Sequence, residues 1–338
     1  MKPGSAARLG MLAMLWGSSF LWIKLALHGM SPVQLTAARL AIGAAVLAAV
    51  VRARGLRLPR DGATWRALAL AAFFANALPY TLFGVGEQSV DSTIAGAINA
   101  TTPLCTFAFG LLGTSGRGPD AAALGARRVA GLVVGFAGAV LLLAPWDAAH
   151  SGTVGGSVAC LIASAAYGMS FVYMGRRLVG RGIPPLVLAA GQLIAATAWA
   201  LLALPFVGRS AVHPHPEVLV AVAALGLGGT GLAYVLNYRL VCDEGPAATS
   251  TVTYLMPVTS IALGAVFLGE PMGANLVGTV VILAGVFLAQ RRTDKPHLGR
   301  PARGSRHRLA NIRICHPRAG TLTACSPEPS AQAQPPCS

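Results

Sequence analysis

Charge is what this sequence has least of, acidic charge above all. Asp, Glu, Lys and Arg make up 11% of its 338 residues, with 11 acidic side chains among them, whereas a soluble domain carries about 25% charged residues. With 54% of residues hydrophobic, the chain suits a membrane rather than water. No Asp, Glu or His falls near the middle of an apolar run, so no Ser/His/Asp set can be assembled inside a bilayer. H-E-x-x-H and phosphate-loop motifs are missing too, which leaves a membrane-embedded hydrolase without parts. The 6 cysteines have no metal-ligand spacing and suggest no disulfide framework. No metal or cofactor is expected.

What is present is apolar length and arginine. The net charge of +15 would suggest nucleic acid in a soluble chain. Here the basic residues sit in short gaps between apolar runs, so no nucleic-acid partner is expected and the lipid bilayer is. A dominance of Arg over Lys, with abundant Ala and Gly, hints at a GC-rich bacterial genome and an inner (plasma) membrane. A bilayer core needs about 20 apolar residues per helix. Runs of that size fall at 9–29, 33–51, 65–86, 92–112, 128–146, 154–174, 185–206, 217–240, 246–268 and 274–290. Proline and glycine mark most joints, as at Pro32, Pro59, Gly118, Pro185, Pro216 and Pro271. The first run follows Lys2 and Arg8 as a signal peptide would, but it is too long and lacks a cleavage site, so it reads as an uncleaved span.

Orientation follows from the basic residues. With the N-terminus inside, Arg52, Arg54, Arg57, Arg127, Arg128, Arg176 and Arg177 all fall on inner segments, while Arg209 is alone in the outer loops. Both termini are then cytoplasmic.

One stretch occurs twice. Tyr80 and Tyr234, Pro103 and Pro257, and Gly110 and Gly264 each stand 154 residues apart without a gap. The likeness extends to whole halves, with Trp16, Gly17 and Phe20 answering Tyr167, Gly168 and Phe171. Five helices per half is an odd number, so the second half enters from the opposite side as an inverted repeat, which puts a site at the interface of the halves. The expected fold is therefore an all-α integral membrane protein of ten transmembrane helices in two inverted five-helix repeats. Its parts are a cytoplasmic N-terminus at 1–8, repeats at 9–146 and 154–291, and a disordered basic cytoplasmic tail at 292–338.

Candidate cavity residues follow from depth and duplication. Pro103 and Pro257 lie near the bilayer midplane, and each removes the hydrogen bond to the carbonyl four residues earlier, that of Asn99 and of Thr253. The freed acceptors either heal as packing kinks or line a site; duplication favours the site. Lys24 and Arg39 are the cations well inside spans, each roughly 8–9 Å below the outer surface at 1.5 Å per residue. They either snorkel or pair with Glu87 and Asp91, or they form a vestibule for an anionic group. Trp16, Ser19, Phe20 and Lys24 share a helical face. Asn76 with Tyr80, Tyr234 with Asn237, and Tyr167 complete the cavity set, and Gln192 takes the place of Arg39 in the second half. Gly131, Gly135 and Gly138 form a stripe suited to close helix packing.

LWGSSFLWIK in the first span, LPYTLF in the third, the proline-centred fourth, and YLMPVTSIALGAVFLGE followed by GTVVILAGVFL resemble the EamA branch of the drug/metabolite transporter superfamily. The resemblance covers about residues 9–291. It implies ten helices in two inverted halves and alternating access at a central cavity, commonly for export of amino acids, metabolites or drugs. The leucine-glycine-glutamate that closes the second repeat helix in this family stands as Leu268, Gly269 and Glu270, while the first half has Thr114, Ser115 and Gly116. Glu270 is expected to cap or orient the tenth helix. The expected function is secondary transport of a small organic solute; an integral-membrane enzyme and a non-transporting scaffold are the alternatives. A homodimer is left open.

Overall fold

The computed structural model describes residues 3–112, 126–143, 154–178, 181–244, 252–270 and 273–290, all helices and short turns with no strand among them. The segment from 291 on, expected as a tail, and the loop holding Thr114, Ser115 and Gly116 lie outside the described residues.

Local signals explain where the helices start and stop. Helices α1 (Pro3–Gly17) and α2 (Ser19–Ala26) follow each other with a single turn residue, Ser18, between them. α3 (Pro32–Ala53) opens on a capping box: Gln34 Oε1 accepts the Ser31 N–H at 2.8 Å, Ser31 Oγ accepts that of Gln34 at 3.4 Å, and Pro32 occupies the first helical position. α4 (Gly62–Ala72) is capped by Asp61, whose carboxylate accepts the Thr64 N–H at 2.7 Å; those hydrogen bonds hold the carboxyl below its usual range. A π-helical segment, Phe73–Ala77, leads into α5 (Leu78–Glu87). Pro79 has no N–H for the carbonyl of Ala75, so the widened turn falls where the ordinary ladder would fail.

α6 (Ser92–Asn99) and α7 (Thr102–Leu112) flank a break. Then come α8 (Ala126–Leu143), α9 (Val154–Arg177) and α10 (Pro185–Val207). α11 (Pro216–Ala223) passes through a second π-helical segment, Ala224–Leu232, into α12 (Ala233–Glu244). Its sequence, ALGLGGTGL, is rich in glycine, which lowers the cost of the wider turn. α13 (Val252–Leu268) runs through Pro257 without interruption, and α14 (Gly273–Gln290) ends the described chain.

By length and composition, six stretches among the described residues can cross a membrane: Gly4–Ala26, Pro32–Ala53, Gly62–Glu87, Val154–Arg177, Pro185–Val207 and Pro216–Asn237. The outer surface of the bundle is apolar: Phe206 is 80% exposed, Val266 76% and Phe267 67%. Patches of that kind are aggregation-prone in water and ordinary against lipid. The chain is a multi-pass membrane protein.

Packing comes in matched sets of elements. α3 packs on α10 and α8 on α14; α1 packs on α12 and α13, as α9 does on α5 and α7; α3 meets the second π segment, as α10 meets the first. Between α8 and α14 the backbones touch. A Cβ on Gly138 would lie 2.7 Å from the Ile282 nitrogen, and one on Gly285 would collide with Gly135. The glycine stripe thus serves close helix packing, as expected where lipid supplies no hydrophobic drive between helices. Leu40, Leu47 and Leu193 fill the seam of α3 and α10.

Candidate functional site

A cavity of about 190 Å³ opens where α1, α2, α3, the first π segment, α5, α6, α7, α9, α10, α12 and α13 converge. Aromatic rings form much of its wall. Phe20 meets Phe83 edge to face at 5.5 Å, Phe83 stacks on Tyr167 at 6.0 Å, and Trp16 meets the edge of Tyr234 at 6.4 Å. Polar groups enter from Ser19, Asn99, Thr102, Ser170, Gln192 and Asn237, and Arg39 is the one charged residue lining it among the described residues.

Two polar crossings join the stretches on either side of the repeat. From α3, Arg39 points Nε and Nη2 at the Thr230 hydroxyl, each at 3.3 Å, and lays its guanidinium 3.9 Å from the centre of the Tyr80 ring. From α10, Gln192 Nε2 donates to Asn76 Oδ1 at 2.7 Å, and Asn76 Nδ2 donates to the Tyr234 hydroxyl at 2.8 Å. Asn76 and Thr230 are themselves 154 residues apart, and each sits on a π segment. A π turn displaces side chains from the ordinary helical positions, which is how each element offers a polar group to the opposite helix. Trp16 Nε1 adds a third tie, to the Gly229 carbonyl at 3.2 Å.

Beyond Phe83, at the end expected to face outward, the remaining charges are used differently. Lys24 Nζ donates to the carbonyls of Glu87 at 2.8 Å and Val90 at 2.7 Å, so it pairs with backbone rather than with the carboxylates of Glu87 and Asp91. Glu270, expected at the helix that follows it, is drawn instead to α6. Gly269, at φ +66°, turns the chain so that the Glu270 N–H returns to the Gly264 carbonyl at 3.2 Å. Its carboxylate then caps α6: Oε1 accepts the Ser92 N–H at 2.8 Å, and Oε2 accepts the Thr93 N–H at 2.9 Å and the Ser92 hydroxyl at 3.0 Å. A carboxylate is favoured there because three or four N–H groups of a helix start have no partner in the helix. Glu87 is the exception: it is buried, and neither carboxylate oxygen has a hydrogen-bond partner.

Of the residues singled out in the sequence, Trp16, Ser19, Arg39, Tyr80, Asn99, Tyr167, Tyr234 and Asn237 line the cavity together. Asn76 stands behind it, holding Gln192 and Tyr234. Lys24 lies at the laced end. Neither proline is among the lining residues, and the two differ: Pro103 begins a new helix after the break at Ala100 and Thr101, whereas Pro257 lies within continuous α13. The Thr253 side chain lies outside the described residues. Sequence reasoning missed Phe83, Phe171, Met174, Thr102 and Met256 as wall residues. Phe171 and Met174 stand four and seven residues after Tyr167, a helical-face spacing that would have found them.

Apolar helices packed around a partly polar cavity are the build of a helical membrane transport protein. The profile of the EamA-like transporter family matches residues 5–144 and again 154–290, and the chain belongs to that family. It is similar to the uncharacterized transporter YdfC of Bacillus subtilis, 24% identical over 83% of this chain and 89% of the relative. It is also similar to the uncharacterized inner membrane transporter YedA of Escherichia coli K12, 26% identical over 82% of this chain and 90% of the relative. Among solved structures, one crystal structure shares the fold with a TM-score of 0.59 at 24% identity, covering 86% of this chain and 97% of the other.

Proposed function

We propose that this protein is a secondary transporter that exports a small organic solute by alternating access, with ten spans in two inverted five-helix repeats and both termini in the cytoplasm of a bacterial cell. The observation that carries this reading is the pair of crossings, Arg39 to Thr230 and Gln192 to Asn76, at repeat-related positions around one cavity. Inverted repeats place matching surfaces on either side of a central site, and rocking one against the other opens it to each face in turn. The matched packing pairs support the same arrangement.

The cavity wall runs from Phe83 and Ile23 toward Met174 and Asn237, near Arg176, Arg177 and Arg239. By the positive-inside rule that is the cytoplasmic end. The opposite end is closed by Lys24 on two carbonyls and by Glu270 on α6. The conformation therefore corresponds to the state that loads solute from the cytoplasm. A partly polar cavity between the two halves favours transport over a scaffold.

The test is flux in liposomes with a panel of labelled amino acids and small metabolites. Saturable flux of at least one solute is expected, and Asn237→Trp, which fills the cavity mouth, should abolish it while the protein still inserts and purifies as a monodisperse species. Flux indifferent to that blockade, or no saturable flux across the panel, would overturn the proposal.

A further inference from the structure

Resting on the transporter reading, we propose that the cavity receives a solute with a single carboxylate on an apolar or aromatic body, and that Arg39 is its charge partner. Arg39 is 4% exposed, and no Asp or Glu lines the cavity among the described residues. A guanidinium has five N–H donors. Two of them share one hydroxyl oxygen, Thr230 Oγ1, at 3.3 Å, beyond the usual N–H···O range. With one shared hydroxyl and the Tyr80 ring as its close partners, the guanidinium keeps N–H donors to offer a ligand. Lys24 does not line the cavity; its ammonium is turned to the backbone carbonyls of Glu87 and Val90.

The shape of the site selects the partner. Tyr80 covers one face of the guanidinium, which leaves its edge for the two parallel hydrogen bonds that a planar carboxylate accepts. An aromatic cavity would otherwise attract a cation, yet here the Tyr80 face is already taken by Arg39, and a second positive charge beside it would be repelled. Phe20, Phe83 and Tyr167 form a continuous apolar wall for the body of the solute. At about 190 Å³ the cavity suits a small solute rather than a drug-sized one.

The probes are three molecules of one shape: 3-phenylpropionate, its neutral amide 3-phenylpropionamide, and the cation 3-phenylpropylamine. Equilibrium binding of each, radiolabelled, is measured on the purified full chain in detergent. The anion should bind saturably and at least tenfold tighter than the amide, with the amine weakest. Arg39→Gln should erase the anion's advantage while leaving amide binding and the melting temperature in place, and Arg39→Lys should keep part of it. Adding phosphatidylglycerol should not displace the anion; displacement would identify a lipid headgroup as the occupant and overturn the proposal. It is equally overturned by equal binding of anion and amide, by no saturable binding of the anion, or by an anion preference that survives Arg39→Gln. Because binding is read without flux, the outcomes separate: charge-selective binding with no flux in liposomes contradicts the transporter reading, whereas flux without charge selectivity contradicts only this one.

Discussion

The sequence sets Lys24 and Arg39 at about the same expected depth in consecutive helices, yet the two regions that hold them are built differently. At the laced end, where α2, α5, α6 and the end of α13 meet, charges are spent on backbone: Lys24 on two carbonyls, Glu270 on two N–H groups and a hydroxyl. In the cavity, Arg39 has one shared hydroxyl and an aromatic face. The first arrangement, Glu87 excepted, satisfies its charges internally and closes the structure. The second leaves donors for something that is not part of the chain. The role of a buried charge is decided by what meets its polar atoms, and two cations that sequence depth cannot separate are separated by their partners.

The contrast can be broken from either side. The largest effect belongs to Arg39→Gln, which makes α3 resemble α10: binding of an anionic probe should fall at least tenfold, about 1.4 kcal/mol or more, with little change in thermal stability. Adding Gln192→Arg to that variant should restore part of the anion preference, since Gln192 also lines the cavity; no restoration would mean that the Tyr80 stack matters more than the charge. Glu270→Gln should do the reverse of Arg39→Gln. It weakens charge-assisted bonds worth about 1.5–3 kcal/mol each, so the melting temperature should drop while anion preference persists.

Lys24→Met comes next. It leaves two carbonyls short of a donor, and a loss of roughly 1–3 kcal/mol in chemical denaturation is expected, again without change in ligand preference. Smallest is Glu87→Gln. The carboxylate has no partner to lose, so stability should hold or rise; a clear fall would show that Glu87 has a polar partner in the working protein.

Much of the helix layout was legible in the sequence because its signals are local. The runs at 33–51, 154–174 and 185–206 fall within α3, α9 and α10, whose starts are written in Pro32, in the apolar run itself and in Pro185. The aromatic face of the cavity was partly legible for the same reason, since Trp16, Tyr80 and Tyr234 follow from helical spacing and duplication. The polar partners were not. Glu270 reaches Ser92 across 178 positions and Gln192 reaches Asn76 across 116, and nothing in spacing fixes which buried groups meet at that distance. The π segments could have been suspected from Pro79 and from the glycines around Thr230, but their effect, presenting Asn76 and Thr230 to opposite helices, depends on the packed fold. The duplicated prolines attracted attention because duplication is visible in sequence, whereas the lining of a cavity is not.

In the proposed mechanism a solute crosses the membrane through the cavity that Arg39 charges. The most direct test is saturable flux of radiolabelled 3-phenylpropionate into liposomes holding the wild type, Arg39→Gln or Lys24→Met at matched amounts of folded protein. Flux that is lost with Arg39→Gln and kept with Lys24→Met is the predicted result; flux that survives Arg39→Gln, or that falls equally in both variants, would contradict it.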